Sequence, residues 1–132
     1  MLILKKEYRT GSGGIGKYRG GLGQIIEFTH LNKESFFVSK MFDRIKHPPR
    51  GRRGGHDGEN AKVYLKHGKP INGMGRELIE GGMTLVLETA GGGGLGNPDM
   101  RDPESVENDK RAELIRTGIF SRVIRVIKKL LV

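Results

Sequence analysis

The sequence predicts a mainly β domain, a sandwich- or barrel-like antiparallel sheet with glycine-rich loops, followed by one or two C-terminal α-helices. Two observations carry this prediction. Short runs of β-branched, aromatic and other apolar residues recur along residues 1–100, and turn residues separate them. After residue 101 the pattern changes to helix-start residues and an amphipathic stripe. We therefore expect one domain, with a β part at residues 1–100 and a helical segment at residues 101–132 packing on it.

Five segments of the β part are strand candidates. In chain order they are residues 2–8, 24–30, 35–41, 61–65 and 83–89. Ile26 and Phe28 fall on one face of the second segment at the two-residue period of a strand. Residues 31–34 are predicted to be a hairpin connection between the second and third strands, and residues 43–60 a long loop rich in proline, glycine and arginine.

The helical segment begins with an N-cap pattern. Asp102 is the predicted N-cap and Pro103 occupies the first helical position. This helix is expected to run to about Arg116 and to stop at Gly118, and Ser121 is expected to cap a second helix. The apolar stripe of the second helix consists of Val123, Ile124, Ile127, Leu130 and Leu131. The stripe packs on its own domain or meets a partner or membrane surface.

Composition bounds the function classes. The chain has 132 residues, enough for one domain, and its lack of cysteine excludes disulfides, thiolate catalysis and cysteine-type zinc sites. A formal net charge of +9 points to nucleic acid, a membrane surface or an acidic partner, or simply to a basic solvated surface. Because neither a signal peptide nor an apolar run of membrane-spanning length is visible, we expect a cytoplasmic protein without a membrane contact.

Two glycine-rich segments match the Gly-x-Gly-x-x-Gly pattern of dinucleotide-binding folds, at residues 11–16 and 91–96. Neither opens a helix, and that chemistry needs a helix N-terminus to receive the pyrophosphate. The glycines are therefore expected to permit close backbone packing or positive φ angles, and a wall of a shared binding site remains the alternative. We expect no cofactor or metal site in this chain, since its four histidines lack metal-ligand spacing.

Three segments together resemble signatures of the hydantoinase B/oxoprolinase family. The first is residues 12–23, the second is Asp43-Arg44 followed by Pro48-Pro49 and the glycines of residues 51–55, and the third is residues 88–104. The order and spacing of these segments extend the resemblance over roughly residues 5–121. The resemblance implies that the signature residues are either structural or part of the wall of a binding site. These residues are Tyr18, Arg19, Gly20, Gly21, Asp43, Arg44, Gly91, Gly92, Gly93, Gly94 and Gly96.

The resemblance implies a part in the ATP-dependent opening of a cyclic amide such as 5-oxoproline or an N-methylhydantoin. Related members are subunits of carboxylases of acetone-like ketones. B-type chains of this family are several times longer and work with an A-type chain thought to bind ATP, so ATP and a divalent metal are expected for the complete enzyme. This sequence resembles the C-terminal portion of a B-type chain, and no catalytic residue can be carried over. Its expected partners are the remaining N-terminal portion and the A-type subunit.

Two departures and two alternatives accompany this hypothesis. Residues 50–53 carry three arginines where the family often has an aromatic and apolar residues, and the sequence after Ser121 also differs from the family pattern. Arginine–glycine clusters at residues 19–21 and 50–55 favour the alternative of a small basic nucleic-acid-binding protein. The other alternative is a stand-alone oligomer without catalysis. A unit cut from a larger subunit exposes apolar surface and strand edges, so self-association is expected.

Overall fold

A computed structural model describes residues 1–68 and 70–116 of the chain. These residues form two antiparallel sheets and a short helical end. The elements are β1 (Leu2–Tyr8), β2 (Gln24–Thr29), β3 (Phe36–Met41), β4 (Lys62–Leu65), β5 (Met74–Ile79), β6 (Leu85–Glu88), a 3-10 helix (Pro98–Met100) and α1 (Pro103–Arg111). The predicted stop at Gly118 and the second helix from Ser121 lie outside the described residues.

The larger sheet has the strand order β1-β2-β6-β4. Phe28 of β2 pairs with Leu85 of β6, which in turn pairs with Leu65 of β4. Ile26 and Leu87 form another pair on the same two strands. Because side chains alternate between the two faces of a strand, these residues form one apolar face, as the spacing of Ile26 and Phe28 predicts.

The smaller sheet consists of β3 and β5 and covers the apolar face of the larger one. Phe36 pairs with Ile79 in this sheet, and Phe36 packs with the core residues Val63 and Leu85 of the larger sheet. The rings of Phe28 and Phe36 lie 6.1 Å apart between their centroids, so the two sheets meet through an aromatic pair. The mainly β prediction is confirmed. In the described residues the two sheets do not close into a barrel, because β1 and β4 remain edge strands.

One sequence-based expectation about the strands is wrong, and one strand is missed. Residues 31–34 do not connect a hairpin, since β2 already has β1 on one side and β6 on the other and leaves no edge for β3. The partner of β3 is instead β5, at Met74–Ile79, which the sequence analysis does not predict. Gly75 and the charged pair Arg76-Glu77 dilute the apolar pattern of β5, and therefore hide it from a search for periodicity.

Helix α1 begins as predicted and ends earlier than predicted. The side chain of the N-cap Asp102 accepts a hydrogen bond from the backbone N–H of Ser105, at 3.0 Å. The helix ends at Arg111 and not at about Arg116. The reason is a Schellman-type turn, in which Glu113 adopts a φ of 56° and the Leu114 N–H donates to the Asp109 carbonyl at 2.9 Å. Within the described residues, no helix has the length and apolar character needed to cross a membrane.

Candidate functional site

The family-signature glycines lie in three chain segments that pack against one another without regular strand structure. We call this arrangement the glycine layer. The segments that form it are residues 11–23, 50–59 and 89–96. Each follows or precedes a strand of the larger sheet, so the layer extends the sheet beyond the ends of β1, β2 and β6.

Segment 89–96 bonds to both of the other segments, which also bond to each other, since the N–H of His56 donates to the carbonyl of Ile15 at 2.8 Å. The N–H of Gly92 donates to the carbonyl of Gly21, and the N–H of Gly14 donates to the carbonyl of Gly92, both at 2.8 Å. The N–H of Gly94 donates to the carbonyl of His56 at 2.8 Å. The backbone N–H and C=O groups of these segments are outside regular strands and form their hydrogen bonds with the backbone of neighbouring segments. Buried peptide groups need such partners.

Tyr18 and the arginine loop extend the same pattern. The backbone of Tyr18 exchanges two hydrogen bonds with Leu95, each of 2.9 Å, and the N–H of Arg52 donates to the carbonyl of Gly94 at 2.9 Å. The side chains of Tyr18, Arg50, Arg52 and Arg53 are exposed. Residues 50–53 therefore contribute their backbone to the layer and present three cations to solvent.

The layer is too tight for side chains at most of its glycines. A Cβ on Gly20 would lie 2.5 Å from the carbonyl carbon of Gly92, and nearer still to its oxygen. A Cβ on Gly91, Gly93 or Gly94 would likewise lie within 2.8 Å of backbone atoms of residues 13, 51 and 14 respectively. Extended chains can approach this closely only where glycine leaves no side chain between them, as collagen shows for its central residues. The neighbour of each of these glycines is protein backbone.

Three signature glycines have different surroundings. A Cβ on Gly92 would have its nearest neighbour, the nitrogen of Gly21, at 3.1 Å, and a Cβ on Gly21 would meet nothing within 4 Å. Gly96 has a φ of 79°, in the left-handed region that glycine adopts without strain. The eleven signature residues are therefore not equivalent, and only some of the glycines are required by close packing.

Arg19 joins the layer to helix α1 through a buried charge cluster. Its Nε lies 2.6 Å from Oδ2 of Asp109, and Arg101 bonds to the same oxygen. Burial by itself raises the pKa of the Asp109 carboxyl, but the hydrogen bonds and positive charges of Arg19 and Arg101 outweigh it and lower that pKa below its usual value. The carboxylate is therefore held ionised as a structural counter-ion.

A second charge cluster lies where β1, β4 and β6 approach the layer. Arg9 contacts Glu59 at 2.9 Å and Glu88 at 3.0 Å, and only 4% of Arg9 is exposed. The hydroxyl of Tyr64 donates to Glu88 at 2.8 Å. Burial, and then the hydrogen bond to Glu88, raise the pKa of Tyr64 to about 12, so this phenol stays protonated.

Asp43 and Arg44 lie apart from these clusters. They line a groove of about 340 Å³ together with Asn72 and Met74. The side chain of Asp43 accepts the backbone N–H of Arg44 at 2.7 Å, and the two charged groups, both exposed, are 3.7 Å apart. Arg44 has a φ of 63°, so the pair forms a local turn after β3. The structure thus gathers Tyr18, Arg19 and the signature glycines in one region and leaves Asp43 and Arg44 outside it.

The chemistry available in the glycine layer is limited. Among residues 1–68 and 70–116, no three histidine, aspartate or glutamate side chains come close enough to hold a metal ion. The charged groups that do cluster, around Asp109 and Arg9, pair with one another through ion pairs and hydrogen bonds. Both clusters are hidden from sequence reasoning because their central pairs, Arg9 with Glu59 and Arg19 with Asp109, join residues 50 and 90 positions apart in the chain.

Comparison with known proteins decides the family. The model of the family described as hydantoinase B/oxoprolinase matches residues 1–98. The chain belongs to the hydantoinase B/oxoprolinase family. The resemblance seen in the sequence is thereby confirmed.

Three relatives show how much of a family protein the chain represents. An uncharacterized protein of Methanocaldococcus jannaschii is 34% identical over 98% of this chain and 23% of its own length. A 5-oxoprolinase of Dictyostelium discoideum is 38% identical over 74% of this chain and 8% of its own length. A putative B-type subunit of a D-/L-hydantoinase from a Pseudomonas strain is 32% identical over 83% of this chain and 19% of its own length. The chain spans less than a quarter of these curated relatives.

A solved structure shares the fold. The nucleotide-free structure of an acetone carboxylase superimposes with a TM-score of 0.70 over 89% of this chain, which corresponds to 20% of that chain, at 18% sequence identity. At this identity the likeness concerns the fold alone. The fold of this chain therefore also occurs inside a chain about four and a half times as long.

Proposed function

We propose that this chain is a structural portion, equivalent to the C-terminal part, of the B-type subunit of an ATP-dependent cyclic amide hydrolase, and that it is inactive alone. The observation that carries the proposal is the match of 98% of the chain to only 23% of a relative, with shares of 8% and 19% for a 5-oxoprolinase and a putative B-type hydantoinase chain. A chain with this coverage supplies one part of the polypeptide whose activity those names describe.

The geometry of the glycine layer supports a structural role. Most of its glycines face backbone, and its backbone hydrogen-bonding groups pair within the layer, as at Gly92. The charged residues next to it, Arg19 and Asp109, are paired with each other. A catalytic constellation needs a nucleophile, base or metal ligand directed at a substrate, and such groups are expected from the rest of the subunit.

ATP and the divalent metal belong, in this proposal, to the complete enzyme. The absence of a three-ligand cluster among the described residues fits a metal site formed elsewhere in the subunit. The partners are then the remaining portion of the B-type subunit and an A-type ATP-binding subunit, in the cytoplasm. The comparisons give no support to the nucleic-acid-binding alternative, although residues 50–53 do expose their arginines.

The proposal is tested by measuring ATP hydrolysis with the purified 132-residue chain in the presence of 5-oxoproline or a hydantoin. A complete 5-oxoprolinase such as the Dictyostelium discoideum relative is the positive control. We expect substrate-dependent phosphate release from the control and none from the chain. Substrate-dependent turnover by the chain alone would overturn the claim that it is inactive.

A further inference from the structure

The smaller sheet has one apolar face that no described residue covers. Side chains alternate along β3 and β5, so that Phe36 and Ile79 face the core while their neighbours face outward. Phe37 pairs with Leu78, and Met41 pairs with Met74. We call these four side chains the outer face, and they are 60%, 51%, 85% and 61% exposed in the order Phe37, Leu78, Met41 and Met74.

The outer face differs from scattered surface hydrophobes. Its members stand on two hydrogen-bonded strands and form two cross-strand pairs on one face, with only the Ser39–Arg76 pair between them. Contiguous apolar patches on a protein surface mark interaction sites. The inner face of the same sheet is packed against the core, so among the described residues only the outer face of this sheet is open to a partner.

Arg76 adds a charge to the patch. Its guanidinium lies over the ring of Phe37, 4.2 Å from the centroid, and the residue pairs with Ser39 between the two apolar pairs. A second copy of the chain docked by two-fold symmetry would bring one Arg76 towards the other and would oppose two chains of net charge +9. Charge therefore disfavours self-association as the native use of this face.

We propose that the outer face docks on the remainder of the B-type polypeptide, through an apolar surface that carries a carboxylate opposite Arg76. This inference rests on the proposed function. The relatives carry from 77% to 92% of their length outside the matched segment, so each has ample chain to cover the face. Burial of Phe37 and Leu78 in that contact supplies the apolar area, and the cation of Arg76 fixes the orientation.

The absence of cysteine from the chain allows a clean accessibility test. A full-length chimera is made in which this chain replaces the matching segment of the Methanocaldococcus jannaschii relative. Leu78→Cys reports on the outer face, and Glu107→Cys, on an exposed position of α1, is the matched control. Both variants are treated with a maleimide in the isolated chain and in the chimera, and peptide mass spectrometry follows labelling at each position.

In the isolated chain, labelled at low concentration and low salt so that its net charge of +9 opposes self-association, we expect both thiols to react at similar rates. In the chimera we expect labelling of the Leu78→Cys variant to slow at least tenfold and that of the Glu107→Cys variant to stay unchanged. Fast labelling of both variants in a folded chimera would overturn the docking inference and leave the proposed function standing. Slow labelling of Leu78→Cys in the isolated chain would show that the chain itself, within one copy or between two copies, covers the outer face, and would also overturn the inference. A chimera that does not fold as one unit would instead count against the proposed function.

Discussion

Replacing Gly20 with alanine is the sharpest test of the glycine layer. The new Cβ would lie 2.5 Å from the carbonyl carbon of Gly92. Carbon atoms pack at about 3.5 Å, so segment 89–96 would have to move by about 1 Å. That movement would stretch the 2.8 Å hydrogen bond from the Gly14 N–H to the Gly92 carbonyl. The substitution therefore affects both packing and hydrogen bonding at the centre of the layer.

The expected loss of stability follows from these two effects. Overpacking costs about 1–3 kcal/mol, and a lost hydrogen bond costs about 0.5–1.5 kcal/mol. The lower entropy of the unfolded alanine chain returns about 0.4–1 kcal/mol. The net destabilisation by Gly20→Ala is then about 2–3 kcal/mol, which lowers the Tm of a domain of this size by about 10 °C.

Gly21 provides the matched control, one residue along the chain. An added Cβ there meets no atom within 4 Å, and the residue has no positive φ. Gly21→Ala is therefore expected to leave Tm unchanged or to raise it slightly. Thermal unfolding of both variants and the parent chain, followed by circular dichroism, measures the difference. Equal Tm values for Gly20→Ala and Gly21→Ala would refute the argument that backbone contact fixes these glycines.

Three further predictions concern the charged groups and the exposed surface. Asp109→Asn leaves Arg19 and Arg101 without their buried counter-ion and should destabilise the chain by about 2–4 kcal/mol in denaturant unfolding. Because the pKa of Asp109 is lowered in the fold, the stability that its carboxylate contributes is present above the unfolded pKa of 3.8 and is lost as pH falls. The pKa of Tyr64 is raised in the fold, so its effect on stability runs the other way with pH. The stability that the protonated phenol contributes is present below pH 10 and is lost as pH rises towards about 12. Tyr64→Phe should abolish this alkaline loss of stability. The isolated chain should self-associate through its exposed apolar surface, and more so at high salt, where its net charge of +9 is screened; light scattering measures this.

Each of these predictions has a clear contrary result. An Asp109→Asn variant as stable as the parent, with the same acid-unfolding profile, would show that the cluster with Arg19 contributes nothing. A Tyr64→Phe variant that keeps the full alkaline loss of stability would assign that loss to another group. A chain that stays monomeric at high concentration and high salt would contradict the expectation of self-association.

The positions of five of the six described strands could be predicted from the sequence, and their pairing could not. The apolar run of residues 2–8 and the β-branched residues around Ile26 mark β1 and β2 within a residue or so. Local composition carries that information. The hairpin expected at residues 31–34 is wrong because the choice of partner for β2 depends on β6, some 60 residues away. A turn sequence cannot report which edge of a distant strand is free.

Part of the candidate site could likewise be predicted from the sequence, and part could not. The sequence identifies the glycine segments and the absence of a helix after them, which argues against a dinucleotide site. Nothing local distinguishes Gly20, which faces the Gly92 backbone, from Gly21, which faces open space. The pairing of Arg19 with Asp109 joins residues 90 positions apart and is likewise invisible in the sequence.

By itself, then, the sequence determines the family, the mainly β class, most strand positions and the Asp102 cap of α1, because each depends on residues that are neighbours in the chain. Only the tertiary structure decides the sheet order, the partner of β3 and the role of each glycine. The physical reason is that these properties depend on contacts between distant segments. In the glycine quartet of residues 91–94, the role of each glycine depends on which backbone atoms occupy the space that a Cβ would need.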